Sequence, residues 1–207
     1  MNNFFRTTLE KNTVFLVVIF LLLDLLGVGL YNLFLRDVLD SRFFRLGRDR
    51  GYFEVVEYFK MLFMIIMFHR LSRQFSLPLM GAWSILFIVM LIDNAAGLHE
   101  LIGELLTPLV NLITRDHHLS ATFAEIIGFA MLEGLAVLYV IYHYFKSDNA
   151  SARRFSIGML VLVAVLAVSS MTVEAFNFSV LEEAIEILGM TILFAFVHIY
   201  YRGMNKG

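Results

Sequence analysis

The chain has 207 residues, 59% of them hydrophobic and only 16% charged, with a net charge of −2 and no cysteine. A soluble domain sits nearer roughly 45–50% apolar and 25% charged, so this much apolar surface calls for lipid as its solvent, in keeping with a mean hydropathy of +0.78. The charge balance offers no basic face to nucleic acid, and the missing cysteines exclude disulfides, thiolate metal sites and Cys nucleophiles together.

The first apolar run covers residues 13–35 and contains Asp24. It is longer than the core of a signal peptide and lacks a small-x-small cleavage site, which predicts a retained first helix. Arg36, Arg42, Arg45, Arg48 and Arg50 follow among Phe43, Phe44 and Tyr52. That mixture reads as an interfacial segment, with Arg42, Arg45, Arg48 and Arg50 on lipid headgroups. The second run, 54–71, carries Glu54, Glu57 and Lys60. Lys60 is most simply offset by Glu57, three residues earlier on the same helical face.

Residues 78–96 form the third run, opened by Pro78 and closed by Asp93. Between it and the fourth run, Leu98, Leu101, Ile102, Leu105, Leu106 and Leu109 recur at helical spacing. This predicts an amphipathic or re-entrant helix beginning with His99-Glu100. The fourth run, 119–145, holds Glu125 and Glu133; the fifth, 155–176, ends near Glu174; the sixth, 184–201, follows Glu182 and Glu183 and includes Glu186. His69, His143 and His198 are expected to snorkel at one membrane rim.

Each run can cross a hydrocarbon core of about 30 Å as a helix. Only helices or closed barrels satisfy their backbone groups in lipid. The fold expected is therefore an all-α integral membrane protein: one bundle of about six transmembrane helices, with the amphipathic or re-entrant helix between spans three and four. Membrane lipids are its surroundings, and a homo-oligomer or a larger membrane complex stays open. Clusters of Lys and Arg, such as Arg153-Arg154 and Arg70 with Arg73, place both termini in the cytoplasm of a bacterial-type inner membrane.

A charged residue at mid-membrane costs about 2.5–3.5 kcal/mol on insertion scales. The acids in these runs outnumber the intramembrane cations, of which Lys60 is the clear case. A bound cation or protons must balance the excess. Asp93, Glu125, Glu174 and Glu183 all fall at run ends. Asp93, Glu100 and Glu104 share a stripe if the helix continues through Gly97; His99 meets Asp93 only if the chain bends there.

Carboxylates with an imidazole suit a divalent metal ion such as Fe, Mn, Zn, Mg or Ca. The expected ligands are Asp93, His99, Glu100, Glu125, Glu174, Glu183 and Glu186. Asp24, Glu57 and Glu133 are the residues expected for a proton or ion path. Neither Glu-x-x-His nor His-Glu-x-x-His occurs.

Asp93-Asn94-x-x-x-x-His99-Glu100, together with Leu181-Glu182-Glu183-x-x-Glu186-x-x-Gly189, resembles a group of uncharacterised bacterial polytopic membrane proteins. The resemblance covers about the C-terminal two-thirds of the chain. It implies a shared polar site and brings no activity with it. Three readings stay open: a membrane metalloprotein, including a metal-dependent enzyme for a lipophilic substrate; a proton- or cation-coupled transporter or channel; and a non-catalytic subunit of a membrane complex.

Overall fold

The computed structural model describes residues 3–36, 51–114, 117–175 and 179–206. Among them are seven α-helices and no strand: α1 (Asn3–Leu35), α2 (Tyr52–Phe75), α3 (Pro78–Ala96), α4 (Leu98–Thr114), α5 (His117–Lys146), α6 (Ala150–Ala175) and α7 (Ser179–Lys206). Five contain stretches long and apolar enough to cross a membrane: Phe15–Leu33, Pro78–Ala96, Phe123–Lys146, Ala150–Ser169 and Ile185–Asn205. The helix matching the expected second span, α2, has sufficient length at 24 residues. Its apolar stretch is interrupted by Glu54, Glu57 and Lys60 near one end and by Arg70 and Arg73 near the other.

The helix boundaries follow local chemistry. Pro78 opens α3 at the first-turn position, where its missing N–H is not needed. Just before it, Ser76 takes a positive φ of 51°, and the Leu77 N–H donates to the Ser72 carbonyl at 3.1 Å. This is a Schellman-type end for α2 with serine where glycine is usual. At the other end of α3, Gly97 adopts the left-handed conformation, φ 63° and ψ 39°, and its N–H closes on the Asp93 carbonyl. Leu101 then donates to the Gly97 carbonyl at 3.1 Å, so one glycine both ends α3 and starts α4. Of the two alternatives at Gly97 the chain takes the bend, so the Asp93–Glu100–Glu104 stripe of a continuous helix does not form. The predicted amphipathic helix forms as α4.

Contacts divide the chain into two compact units, Met1–Met67 with Arg153–Gly207, and Phe68–Ala152. In the first unit, Phe20 meets Phe63 and Phe194 edge-on, and Phe155 stacks on Phe196 and Tyr200. Gly158 permits the approach of Phe196, since a Cβ there would stand 2.8 Å from its ring. In the second unit, Phe68 is stacked against both Trp83 and Phe87, all three fully buried.

The exteriors are the reverse of a soluble protein's. Leu25 is 67% exposed and Leu135, Leu138, Val165 and Ile199 are similarly open, whereas Lys60 is 0% exposed. Apolar outside and charge inside is the arrangement lipid selects, because water is absent there to reward exposed polar groups. These features are those of a multi-span helical membrane protein.

Candidate functional site

Among the described residues, the buried acids with visible partners gather in two polar centres, one in each unit. In the first unit Asp24 sits midway along α1, one face of which is exposed leucine. Lys60 Nζ donates to both of its carboxylate oxygens, at 2.8 and 2.9 Å, and Thr191 Oγ1 of α7 donates to Oδ2 at 2.6 Å. Beside this centre the Tyr52 hydroxyl donates to the Leu23 carbonyl at 3.0 Å, tying the start of α2 to α1. A Cβ on Gly27 would lie 2.7 Å from the Tyr52 ring, so glycine there lets the two helices close.

This arrangement corrects the expected partner of Lys60. A side chain three residues away on the same helix must share a crowded face, whereas Asp24 comes from across the interface and can take the ammonium on both oxygens. Glu57 is buried as well and has interactions of its own. Asp24, expected on an ion path, is therefore matched by a cation the chain itself supplies. The low-dielectric surroundings strengthen the Coulomb attraction of such a pair, which offsets the cost of desolvating both ions.

The second centre is built where α3 turns into α4. Asp93 is 1% exposed. Its Oδ1 accepts the backbone N–H of His99 at 2.8 Å, a first-turn amide of α4 that has no partner within the helix. A carboxylate at that place also faces the positive end of the helix dipole. Its other oxygen, Oδ2, lies 3.1 Å from His99 Nδ1. Neither atom has a hydrogen-bond partner of good geometry, although both are buried. The bend at Gly97 is what brings them together, the condition under which His99 was expected to join Asp93.

The fifth helix closes this centre from one side. The His99 ring packs edge-to-face on Phe129, 6.4 Å between centroids. One turn further along α5, Glu133 is buried and lies within reach of the Asp93 charge. Helices α4 and α5 touch almost backbone to backbone: a Cβ on Gly128 would stand 2.6 Å from the His99 carbonyl oxygen, and one on Gly103 would stand 2.8 Å from Glu125 Cγ. Glu125 is thus half-buried against Gly103 and is engaged in other contacts. Glu100 folds back over Gly97, where a Cβ would meet its Oε2 at 3.2 Å, and is otherwise exposed.

No protein family, curated protein or solved structure matches this chain.

Of the expected ligands, Asp93, His99, Glu100 and Glu125 thus fall in one unit, joined by Glu133 from the expected ion path. Asp24, Glu57 and the half-buried Glu186 fall in the other. The side chains of Glu174 and Glu183 lie outside the described residues, as do Arg42, Arg45, Arg48 and Arg50. Among the described residues no three His, Asp or Glu side chains converge closely enough to hold a metal ion together. The near-contact of His99 with Asp93 leaves a two-donor corner with one further acid behind it. Sequence reasoning passed over Thr191, a lone hydroxyl in an apolar helix, and Gly103, which lets α5 close on α4. It also put His198 at a rim with the other snorkelling histidines; the side chain is instead 3% exposed.

Proposed function

We propose that this chain is an integral membrane metalloprotein whose cation site is centred on Asp93 and His99. The supporting observation is the pair Asp93 Oδ2 and His99 Nδ1, 3.1 Å apart with neither atom hydrogen-bonded. Two donors each about 2.0–2.2 Å from one divalent cation stand about 3 Å apart when they occupy adjacent coordination positions. The His99 side chain is 28% exposed, while the two donor atoms themselves are buried. With two protein donors the remaining positions fall to water, to Glu133, or to a substrate oxygen, and an open coordination sphere is the catalytic rather than the structural form. The chemistry such a cation supplies is water activation or oxidation, here directed at a membrane-soluble substrate.

The same proposal takes α2 as a sixth span. Its 24 residues reach about 36 Å, and its Glu57 and Lys60 are buried rather than left on a lipid-facing surface. Even-numbered crossing puts both termini on one side, the cytoplasmic face of a bacterial-type inner membrane by the distribution of Lys and Arg.

Elemental analysis of the detergent-purified protein tests the site. About one equivalent of a divalent metal per chain is expected for the wild type, falling at least roughly tenfold in affinity in His99→Phe, which keeps the backbone N–H that Asp93 caps. A wild-type protein that stays metal-free after dialysis against Mn²⁺, Fe²⁺ and Zn²⁺ removes the proposal.

One observation favours a second reading, cation-coupled transport. Glu133 is buried one turn deeper along α5 than the ring that packs on His99, and thus gives an ion a next station inward. In proteoliposomes this reading expects cation flux that Glu133→Gln abolishes. Vesicles that stay sealed to Mn²⁺ and to protons leave only the resident-metal reading.

A further inference from the structure

A third polar feature lies apart from both centres, at the C-terminal end of α7. Both ring nitrogens of His198 and Nε of Arg202 are buried, and none of them has a hydrogen-bond partner among the described residues. The two residues are one turn apart on the same face of α7, and the guanidinium charge reaches the imidazole. Phe194 stacks on the His198 ring one turn below, which fixes the ring plane.

Buried donors without acceptors are rare in proteins, and a buried guanidinium edge is the costlier case because its charge persists. Among the described residues, α6 and the C-terminal part of α7 supply no counterion. From Ile187 to its end α7 contains no Asp or Glu, and α6 contains none before Glu174. What α6 adds is more positive charge. The stacking of Phe155 on Tyr200 sets the start of α6 beside the end of α7, so the exposed Arg153 and Arg154 stand at the same rim. A site with Nε–H and ring N–H donors, flanked by arginines and sunk at the edge of an apolar helix, matches an oxyanion of a phosphate.

We propose that His198 and Arg202 bind a phosphate group at this rim, that of an anionic phospholipid headgroup or of a soluble phosphate. Arg202 supplies the fixed charge and a directed donor. His198 supplies a second donor from one turn deeper, and Arg153 and Arg154 draw the anion in. The site does not depend on the metal reading of the other unit.

Thermal unfolding of delipidated protein in neutral micelles tests it, with additions of phosphatidylglycerol, of phosphatidylcholine, or of inorganic phosphate. Phosphatidylglycerol is expected to raise the midpoint by several degrees and to remain bound at about one molecule per chain in native mass spectrometry, with tenfold weaker retention in His198→Phe and in Arg202→Gln. Equal protection by inorganic phosphate, lost in the same variants, supports the site and assigns it a soluble anion. Protection by phosphatidylcholine equal to that by phosphatidylglycerol, or unaltered retention in both variants, overturns it. If His198→Phe fails to fold, Arg202→Gln and Arg202→Lys decide alone: Lys is expected to keep part of the binding and Gln none.

Discussion

Replacing Lys60 with methionine is expected to destabilise the protein by about 3–5 kcal/mol, the cost of leaving a buried carboxylate without its counterion. Lys60 is fully buried and holds both oxygens of Asp24, so no water takes its place when the ammonium goes. Among the described residues Thr191 remains to donate, and one neutral hydroxyl does not match a bidentate ammonium. The double variant Lys60→Met with Asp24→Leu is expected to recover most of the loss or to exceed the wild type, because well-packed apolar replacements of buried pairs are often neutral or stabilising. Unfolding in mixed micelles followed by circular dichroism measures both. Additive losses in the single and double variants would show that the two side chains do not meet.

Gly128→Ala is expected to cost about 1–3 kcal/mol and to disrupt the Asp93–His99 corner at the same time. The added methyl would sit 2.6 Å from the His99 backbone oxygen and 3.3 Å from Ile102 Cβ. A backbone oxygen cannot rotate out of the way, so α4 must shift from α5 and carry His99 with it. A displacement of about 1 Å is enough to undo a site built from two facing donors. Gly134→Ala, six residues along the same helix, is the control, because nothing lies within 4 Å of its Cβ position. Its unfolding midpoint and metal content should match the wild type's. Equal behaviour of the two variants in both measurements would refute close α4–α5 packing as the support of the site.

Sequence periodicity was enough to place the helices, because a 20-residue apolar run has few other options in lipid. The third run, 78–96, is reproduced end for end by Pro78–Ala96, since Pro78 and Gly97 are unambiguous start and stop signals. Helix α4 was equally plain from its leucine spacing. Pairing was harder. Lys60 and Asp24 are 36 residues apart, and nothing in either helix alone says which face turns toward the other. Proximity in sequence favoured Glu57 instead, an argument that holds for an isolated helix and yields once a second helix packs against it.

The acid-rich site was legible in residue type but not in grouping. Asp93 and His99 come together through one backbone conformation at Gly97, and glycine permits that bend without requiring it. A straight helix would have aligned Asp93 with Glu100 instead. The burial of His198 also escaped notice, because position near a helix end says how deep a side chain sits and not whether a neighbour covers it.

The Asp24–Lys60–Thr191 contact joins residues that are synthesised far apart in time. Asp24 leaves the ribosome 36 residues ahead of its countercharge and 167 ahead of the hydroxyl that completes its shell. Until α2 arrives, the first helix carries a solitary acid into hydrocarbon, a burden of about 2.5–3.5 kcal/mol against an otherwise greasy segment. If α2 is a span, as proposed, entry of α1 and α2 together as a helical hairpin is the expected route. Helix α7, emerging much later, then latches α1.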